Sequence, residues 1–338
     1  MKIATITGER RTAIAERPEP HAKDDFVLVK VLVAPMCTEY KQFREGRPGD
    51  HLGHEAAGEV LAVDAAGMVR VGDRVAVMPI SACGRCALCR SGDYIHCQQT
   101  IDVEKRTANH SATATYAQML VKQDWLLLPL PDDISLEHGS MACCGLGPTF
   151  GAMQRMQVDA FDTVLITGMG PVGLGGVING VQRGARVIAV ESQPFRRQLA
   201  AELGATAVLD PTDDALPSRI LELTGGRGAD KAIDCTGVAQ AQRLLIDAAR
   251  RRGQVAFVGE GGALEIQVSQ DMIRKGLTLH GSWHWNLADA PRMIHLIRQT
   301  RWQLDKLITH SFPLSQVQDA FDLQLTGNCG KVLLKPWE

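Results

Sequence analysis

The chain predicts a two-domain α/β protein, a mainly β first domain followed by a doubly wound parallel sheet. Three observations carry that expectation. Residues 1 to about 145 hold short β-like runs broken by Gly, Pro and Asp clusters; after Thr163, strands alternate with helical stretches; and 338 residues (36.7 kDa) exceed the size at which one hydrophobic core keeps growing.

In the first domain FVLVKVLVA (26–34), EVLAVD (59–64), DRVAVM (73–78) and WLLLPLP (125–131) read as strands, and helices look scarce. TVLITG then opens the second pattern. It continues with a helix in GPVGLGGVINGVQRG, the strand RVIAVES, a helix in PFRRQLAAELG, a short AVLD, a helix near 214–223, the strand KAIDCTG, a helix near 239–251 and the strand QVAFVGE. LTLHGSW (277–283) is the sixth strand. Such alternation makes βαβ units whose parallel sheet is covered on both faces. The tail holds a helix near 288–300, the segment FPLSQVQDAFDLQLTG and a final strand KVLLKP, and is expected to return to the first domain. The predicted boundaries are 1–147, 148–286 and 287–338, with a cysteine-rich lobe at about 80–100.

Formal net charge is −2, from 36 Lys+Arg against 38 Asp+Glu spread along the chain. No basic face exists to collect nucleic acid or an anionic membrane. The start, MKIATITGERRTA, lacks an apolar h-region, and no apolar run reaches the roughly 18–20 residues that span a bilayer. A soluble cytoplasmic enzyme is the expectation.

Cys83, Cys86, Cys89 and Cys97 have the spacing C-x2-C-x2-C-x7-C in a loop-like stretch, and four thiolates so arranged close a tetrahedron around zinc. A disulfide knot suits a small secreted chain; a long chain with nine cysteines argues against it.

Gly168, Gly170 and Gly173, with Pro171 and Val172 between the last two, read G-M-G-P-V-G directly after an apolar strand and before a helix. Glycine permits a tight turn and close approach of a pyrophosphate, and the helix N-terminus offers unpaired N–H groups. A plain glycine turn is the competing reading, and the βα context speaks against it. Glu191 ends the next strand about twenty residues on, where an acid accepts hydrogen bonds from ribose hydroxyls; this favours NAD. Arg196 and Arg197 follow closely and leave NADP open, while a solvated strand end and an exposed helix face are the plain alternatives for these three residues. Asp234-Cys235-Thr236-Gly237 and Val258-Gly259-Glu260 end later strands on the same carboxyl edge, where ligands bind such sheets; strand-end turn chemistry explains them equally well.

Gly53-His54-Glu55 places His54 17 residues after Cys37, and Cys144 lies in ACCGLGPTFGA. Cys, His and Cys or Glu are a ligand set for an open zinc site. With these motifs in this order, the chain resembles the zinc-dependent medium-chain dehydrogenase/reductase superfamily of alcohol, sorbitol and threonine dehydrogenases over nearly its whole length. The resemblance implies a GroES-like catalytic domain with a zinc lobe and a Rossmann NAD-binding domain. It implies two zinc ions per chain, one catalytic and one structural, and a small-molecule alcohol or ketone substrate. It also implies a homodimer or homotetramer paired through the edge strand LTLHGSW.

Carried over residue by residue, Cys37 and His54 match the first two catalytic ligands, and Glu55 matches an adjacent glutamate that approaches the metal. Cys144 matches the third ligand, favoured over its neighbour Cys143 by its register to Phe150-Gly151, and the cysteine quartet matches the structural zinc. The implied reaction is hydride transfer between NAD and a secondary alcohol or polyol polarised by zinc. A threonine or amino-alcohol dehydrogenase, and a non-catalytic nucleotide- and zinc-binding relative, are the alternatives.

One departure stands out. The residue two after the first zinc cysteine is usually Ser or Thr in this superfamily and passes the alcohol proton outward; here the run is Cys37-Thr38-Glu39-Tyr40, so that slot is Glu39. Either Thr38, through a shifted backbone, or Glu39 is expected to carry the proton. His51 is a further candidate, though a bland loop histidine is the commoner case. Trp283, His284 and Trp285 could form an aromatic wall near the substrate, or pack a core, and Phe150 and Trp125 share that ambiguity.

Overall fold

The computed structural model describes residues 1–65 and 67–338. The chain divides into two compact units, Met1–Cys144 with Asn286–Glu338, and Gly145–Trp285.

In the first unit a seven-stranded sheet has the spatial order Ile308–Pro313, Lys331–Lys335, Phe26–Pro35, Ala56–Ala62, Arg74–Val77 and Leu127–Pro129, with Met119–Gln123 also pairing to Phe26–Pro35. Phe26–Pro35 is central because its apolar run packs on both faces, and it pairs antiparallel with three other strands. The C-terminal segment belongs to this body. Phe321, on helix Val317–Thr326, stacks on Phe43 with ring centroids 4.7 Å apart, and Val332 and Leu334 enter the same buried cluster as Val29, Val31 and Tyr116. Gly58 sits where strands Phe26–Pro35 and Ala56–Ala62 cross: a Cβ there would lie 1.8 Å from the Lys30 carbonyl oxygen.

Several elements differ from the sequence expectation, each for a local reason. The N-terminal residues form a hairpin, Lys2–Gly8 with Arg11–Glu16, turned at Glu9-Arg10 where Arg10 has φ 50°. Glu39–Glu45 is a helix too short for its 3.6-residue period to show in the sequence, closed by Gly46 in the left-handed region. WLLLPLP yields only a 3-10 turn, Asp124–Leu126, and the strand Leu127–Pro129, since each proline removes a ladder donor. The expected helix at 239–251 stops at Ala248, and its last residues begin the strand Ala249–Phe257. A π-helical turn, Val268–Arg274, and the pair Arg301–Leu307 and Ile308–Pro313 had no clear periodic signature.

The second unit is a six-stranded parallel sheet in the order Ala207–Leu209, Arg186–Val190, Thr163–Thr167, Ala229–Asp234, Ala249–Phe257, Thr278–Gly281. Its central strands are buried throughout, as doubly covered strands must be. Helices Pro171–Gln182 and Pro194–Glu202 start on proline, whose fixed φ and missing N–H suit a first turn. The strand order reverses between Thr163–Thr167 and Ala229–Asp234, the position where such sheets open a ligand crevice. Thr278–Gly281 is the sheet's partly exposed edge, as LTLHGSW suggested. Among the described residues no helix is long and apolar enough to cross a membrane.

The crossing at Gly58 yields a test. Gly58→Ala is expected to lower stability by about 3 kcal/mol, the upper range for overpacking against rigid backbone. The shift of the first transition in a urea titration measures it.

Candidate active site

Four side chains from three distant segments converge in the first unit. Cys37 ends the central strand's extension, His54 and Glu55 precede Ala56–Ala62, and Cys144 follows helix Leu136–Ser140. Their ligand atoms lie within 4.8 Å of one another, with His54 Nε2 3.2 Å from Cys144 Sγ. Cys143 points elsewhere, its thiol donating to the His54 carbonyl at 3.8 Å. Cys144, not Cys143, shares the cluster with Cys37 and His54.

Glu39 explains how His54 is held. Its Oε1 lies 2.7 Å from His54 Nδ1, and its Oε2 accepts from the Tyr116 hydroxyl at 2.9 Å and from the Cys37 N–H at 3.2 Å. With Nδ1–H donating to the carboxylate, Nε2 presents its lone pair to the cluster. Burial works against the charge on Glu39, but His54 and these donors outweigh it and bring its pKa to about 2. Burial likewise opposes a charged His54, yet Glu39 and Cys37 raise its pKa well above the ordinary value. Thr38 is exposed at the start of the Glu39–Glu45 helix, and its side chain makes no capping bond. The sequence pattern did not single out Tyr116, since it lies 79 residues from Cys37.

A second buried carboxylate lies on the other side. Glu55 Oε2 accepts from the Cys144 N–H at 3.1 Å, and Glu55 Oε1 meets Lys331 Nζ at 2.6 Å; both side chains are fully buried. Burial pushes Glu55 up to about 7 against the attraction of Lys331. Lys331 belongs to the last strand, and no spacing rule links it to a residue 276 positions earlier.

The donor chemistry fits a divalent metal. A hydrogen bond from Cys144, against burial and with Lys331 nearby, drives the Cys37 thiol well below its usual pKa, while Cys143, Cys37 and burial raise Cys144. A metal bound at these two sulfurs would displace the remaining thiol proton. When both are thiolates, they and the two carboxylates make four negative charges, for which Lys331 provides one positive charge and a divalent ion two.

The cysteine quartet is closed more tightly. Cys86 and Cys89 sulfurs lie 3.4 Å apart and Cys83 and Cys89 3.9 Å. A tetrahedron with zinc–sulfur bonds of about 2.3 Å has edges of about 3.8 Å, whereas a disulfide needs about 2.05 Å. None of the nine cysteines forms a disulfide. The N–H groups of Cys86 and Gln99 donate to Cys83 and Cys97 sulfurs, and Cys83 falls to about 6 through backbone hydrogen bonding while burial pushes Cys89 up to about 12. The lobe is built on helix Ala87–Arg90 and a 3-10 turn at Tyr94–His96, with Gly84 and Gly92 in the left-handed region. Trp125 packs edge-on to Tyr94 under this lobe, a core role.

In the second unit the glycine loop follows strand Thr163–Thr167. Gly168 has φ +83°, and a Cβ on Gly173 would lie 1.8 Å from the Gly168 carbonyl oxygen, so both positions demand glycine. Gly170 is different: its φ is ordinary and a Cβ would meet no protein atom, so its bare backbone leaves room for a ligand. Pro171 and Val172 open the helix behind it. Buried Glu191 accepts from the Met169 N–H at 2.6 Å and the Gln193 N–H at 2.8 Å, which ties the glycine loop to the neighbouring strand end. Arg197 is committed to Asp210 at 2.6 Å and to two carbonyls, and Arg196 is half-buried. Asp234 organises the next strand ends. Its carboxylate accepts from Thr236 Oγ1 at 2.6 Å, the Gly237 N–H and Gln242, and its carbonyl accepts from the N–H groups of Val258 and Gly259. Trp285 is buried against Phe150 with ring centroids 6.1 Å apart, a packing role, whereas Trp283 is exposed.

Comparison with known proteins follows the same division. A family model described as alcohol dehydrogenase GroES-like domain matches residues 23–132, and one described as zinc-binding dehydrogenase matches residues 171–299. An uncharacterised zinc-type alcohol dehydrogenase-like protein of Escherichia coli is 36% identical over 355 residues, covering 99% of this chain and 98% of its own. Sorbitol dehydrogenase of Bacillus subtilis is 30% identical over 349 residues, covering 99% and 97%. Among solved structures, an alcohol dehydrogenase from Thermus sp. ATN1 superposes with a TM-score of 0.90 at 26% identity, covering 99% of both chains.

The Glu55–Lys331 pair gives a stability test. Lys331→Met is expected to cost about 3–5 kcal/mol by stranding a buried carboxylate, and Glu55→Leu added to it should restore much of the loss. A double-mutant cycle in guanidinium measures both.

Proposed function

The chain belongs to the zinc-dependent medium-chain dehydrogenase/reductase superfamily, and we propose that within it this protein oxidises a secondary alcohol or polyol with NAD, or reduces the corresponding ketone. The observation that carries the proposal is the convergence of Cys37, His54 and Cys144 beside a buried Glu55, with His54 fixed through its outer nitrogen. In this reading these three hold the catalytic zinc, with Glu55 at its flank, and Cys83, Cys86, Cys89 and Cys97 hold a structural zinc. The sorbitol dehydrogenase relative supports the polyol side of the assignment.

Bound zinc supplies Lewis-acid polarisation of the alcohol oxygen, and NAD supplies the hydride acceptor. The chain's own residues do the rest. Glu39 holds His54 through Nδ1 and aims its Nε2 at the cluster; because its oxygens already take three donors at a pKa of about 2, it is a poor proton carrier. That leaves Thr38 Oγ1, exposed next to Cys37, to accept the alcohol proton and pass it to water. The turn of Gly168, Gly170 and Gly173 brings the first N–H groups of helix Pro171–Gln182 to the pyrophosphate. Glu191 faces the adenosine ribose and favours NAD over NADP, while Arg196, Thr236, Val258 and Gly259 line the rest of the cofactor crevice.

The thiols without disulfides suit a reducing cytoplasm. The edge strand Thr278–Gly281, with exposed Trp283, Val268 and Ile273 in the same unit, suits pairing of two copies into a homo-oligomer.

Purified protein with its zinc quantified should hold about two zinc ions per chain. It should reduce NAD with secondary alcohols or polyols, and use NADP at least about tenfold less well. One zinc and no turnover on any alcohol would contradict the proposal. Thr38→Val should lower kcat by about a hundredfold with zinc retained, the scale of a lost proton-transfer group. Glu39→Gln should instead lower zinc retention, as loss of an outer hydrogen bond to a ligand does, and dialysis against a chelator followed by metal analysis separates the two effects.

A further inference from the structure

The chain passes between the two units twice, after Cys144 and after Trp285. Residues 282–286, which lead into the second passage, form neither helix nor strand. Within the second unit this stretch is held by packing and by one backbone bond. Trp285 is buried against Phe150, a Cβ on Gly151 would come within 2.2 Å of the His284 carbonyl oxygen, and the Ser282 N–H donates to the Phe257 carbonyl at 3.0 Å. Phe257 directly precedes Val258 and Gly259, the strand end assigned above to the cofactor crevice.

One residue after Trp285 the chain is gripped by the cysteine lobe. Asn286 Nδ2 donates to the Ser91 carbonyl at 2.8 Å and to Asp93 Oδ1 at 3.0 Å, and the Leu287 N–H donates to the Gly92 carbonyl at 3.0 Å. Asn286 Oδ1 accepts from the Ala288 N–H at 2.9 Å and so starts the 3-10 turn Leu287–Asp289. Gly92 has φ +88°, and a Cβ there would lie 2.1 Å from Asn286 Oδ1, so the lobe meets this side chain with bare backbone. Both amide hydrogens and the carbonyl of Asn286 are in use. An aspartate of the same shape could donate neither bond and would face the Asp93 carboxylate.

Ser91, Gly92 and Asp93 belong to the loop between Cys89 and Cys97. The Gly92 N–H donates to the Cys89 carbonyl at 3.1 Å, and the Cys97 N–H to the Tyr94 carbonyl at 2.9 Å. With only a four-residue helix and a three-residue turn, the lobe depends on its metal for a fixed shape. We propose that the metal-filled quartet is a clasp on the second passage: through Ser91, Gly92 and Asp93 it fixes Asn286, and thereby holds the strand end at Val258 and Gly259 in the form that binds NAD. Asn286 is a positioning residue in this account. The inference rests on the reading of the quartet as a zinc site and of the second unit as the NAD site.

Hydrogen exchange read by mass spectrometry, zinc analysis and calorimetric titration of NAD test it on wild type, Asn286→Asp, Asp93→Asn and Cys97→Ser. Asn286→Asp is expected to retain about two zinc ions, to exchange about tenfold or more faster over 283–290, and to bind NAD about fivefold or more weakly. Cys97→Ser, with the quartet zinc lost, should change exchange and NAD binding in the same direction. Asp93→Asn keeps an oxygen for Asn286 Nδ2 and should stay within about twofold of wild type in both. By reciprocity, NAD should slow exchange over 283–290 in wild type and not in Asn286→Asp. Asp93→Ala removes one acceptor and carries the test if Asn286→Asp fails to fold, which its thermal midpoint reveals. Unchanged exchange or NAD affinity in the folded Asn286 variant, or a zinc-depleted Cys97→Ser that keeps 283–290 protected, would overturn the clasp and leave the two-zinc dehydrogenase reading standing. A wild type whose quartet holds no zinc, or that binds no NAD, would overturn that reading and the clasp together.

Discussion

The site depends on one hydrogen bond, from His54 Nδ1 to Glu39 Oε1 at 2.7 Å. It fixes the tautomer, aims Nε2 at Cys144 and requires a buried, ionised carboxylate, which in turn needs the Tyr116 hydroxyl and the Cys37 N–H. The short helix Glu39–Glu45 is where it is because its first residue makes these contacts. On the opposite side Glu55 needs its own cation, and the final strand provides a fully buried one, Lys331. The return of the C-terminal segment to the first unit is therefore an electrostatic requirement of the site as well as a packing solution.

Much of this was legible in the sequence because the chemistry uses short, ordered motifs. The cysteine quartet, G-M-G-P-V-G after an apolar strand, and GHE each put several functional atoms within a few residues, where turn and helix geometry fixes them. The alternating strands and helices of the second unit read equally well, since buried parallel strands are continuous apolar runs. Short elements of the first unit read less well: Glu39–Glu45 is too brief for a period to emerge, and only Leu127–Pro129 of the expected strand WLLLPLP is strand.

The rest was hidden because it rests on pairs brought together only by folding. Glu39 stood out as a departure at the relay position, yet its role as the anchor of His54 follows from a ring nitrogen 15 residues away. Lys331 and Tyr116 carried no local signal. In each case a buried polar group belongs to the candidate site, and burial is a property of the fold.

Zinc X-ray absorption on the purified protein tests the central claim most directly, that Cys37, His54 and Cys144 form a second metal centre distinct from the quartet. Two filled sites predict an average near three sulfur and one nitrogen or oxygen ligand per zinc, from one all-sulfur site and one with two sulfurs. An average near four sulfurs would mean that only the quartet binds metal, and would contradict the account.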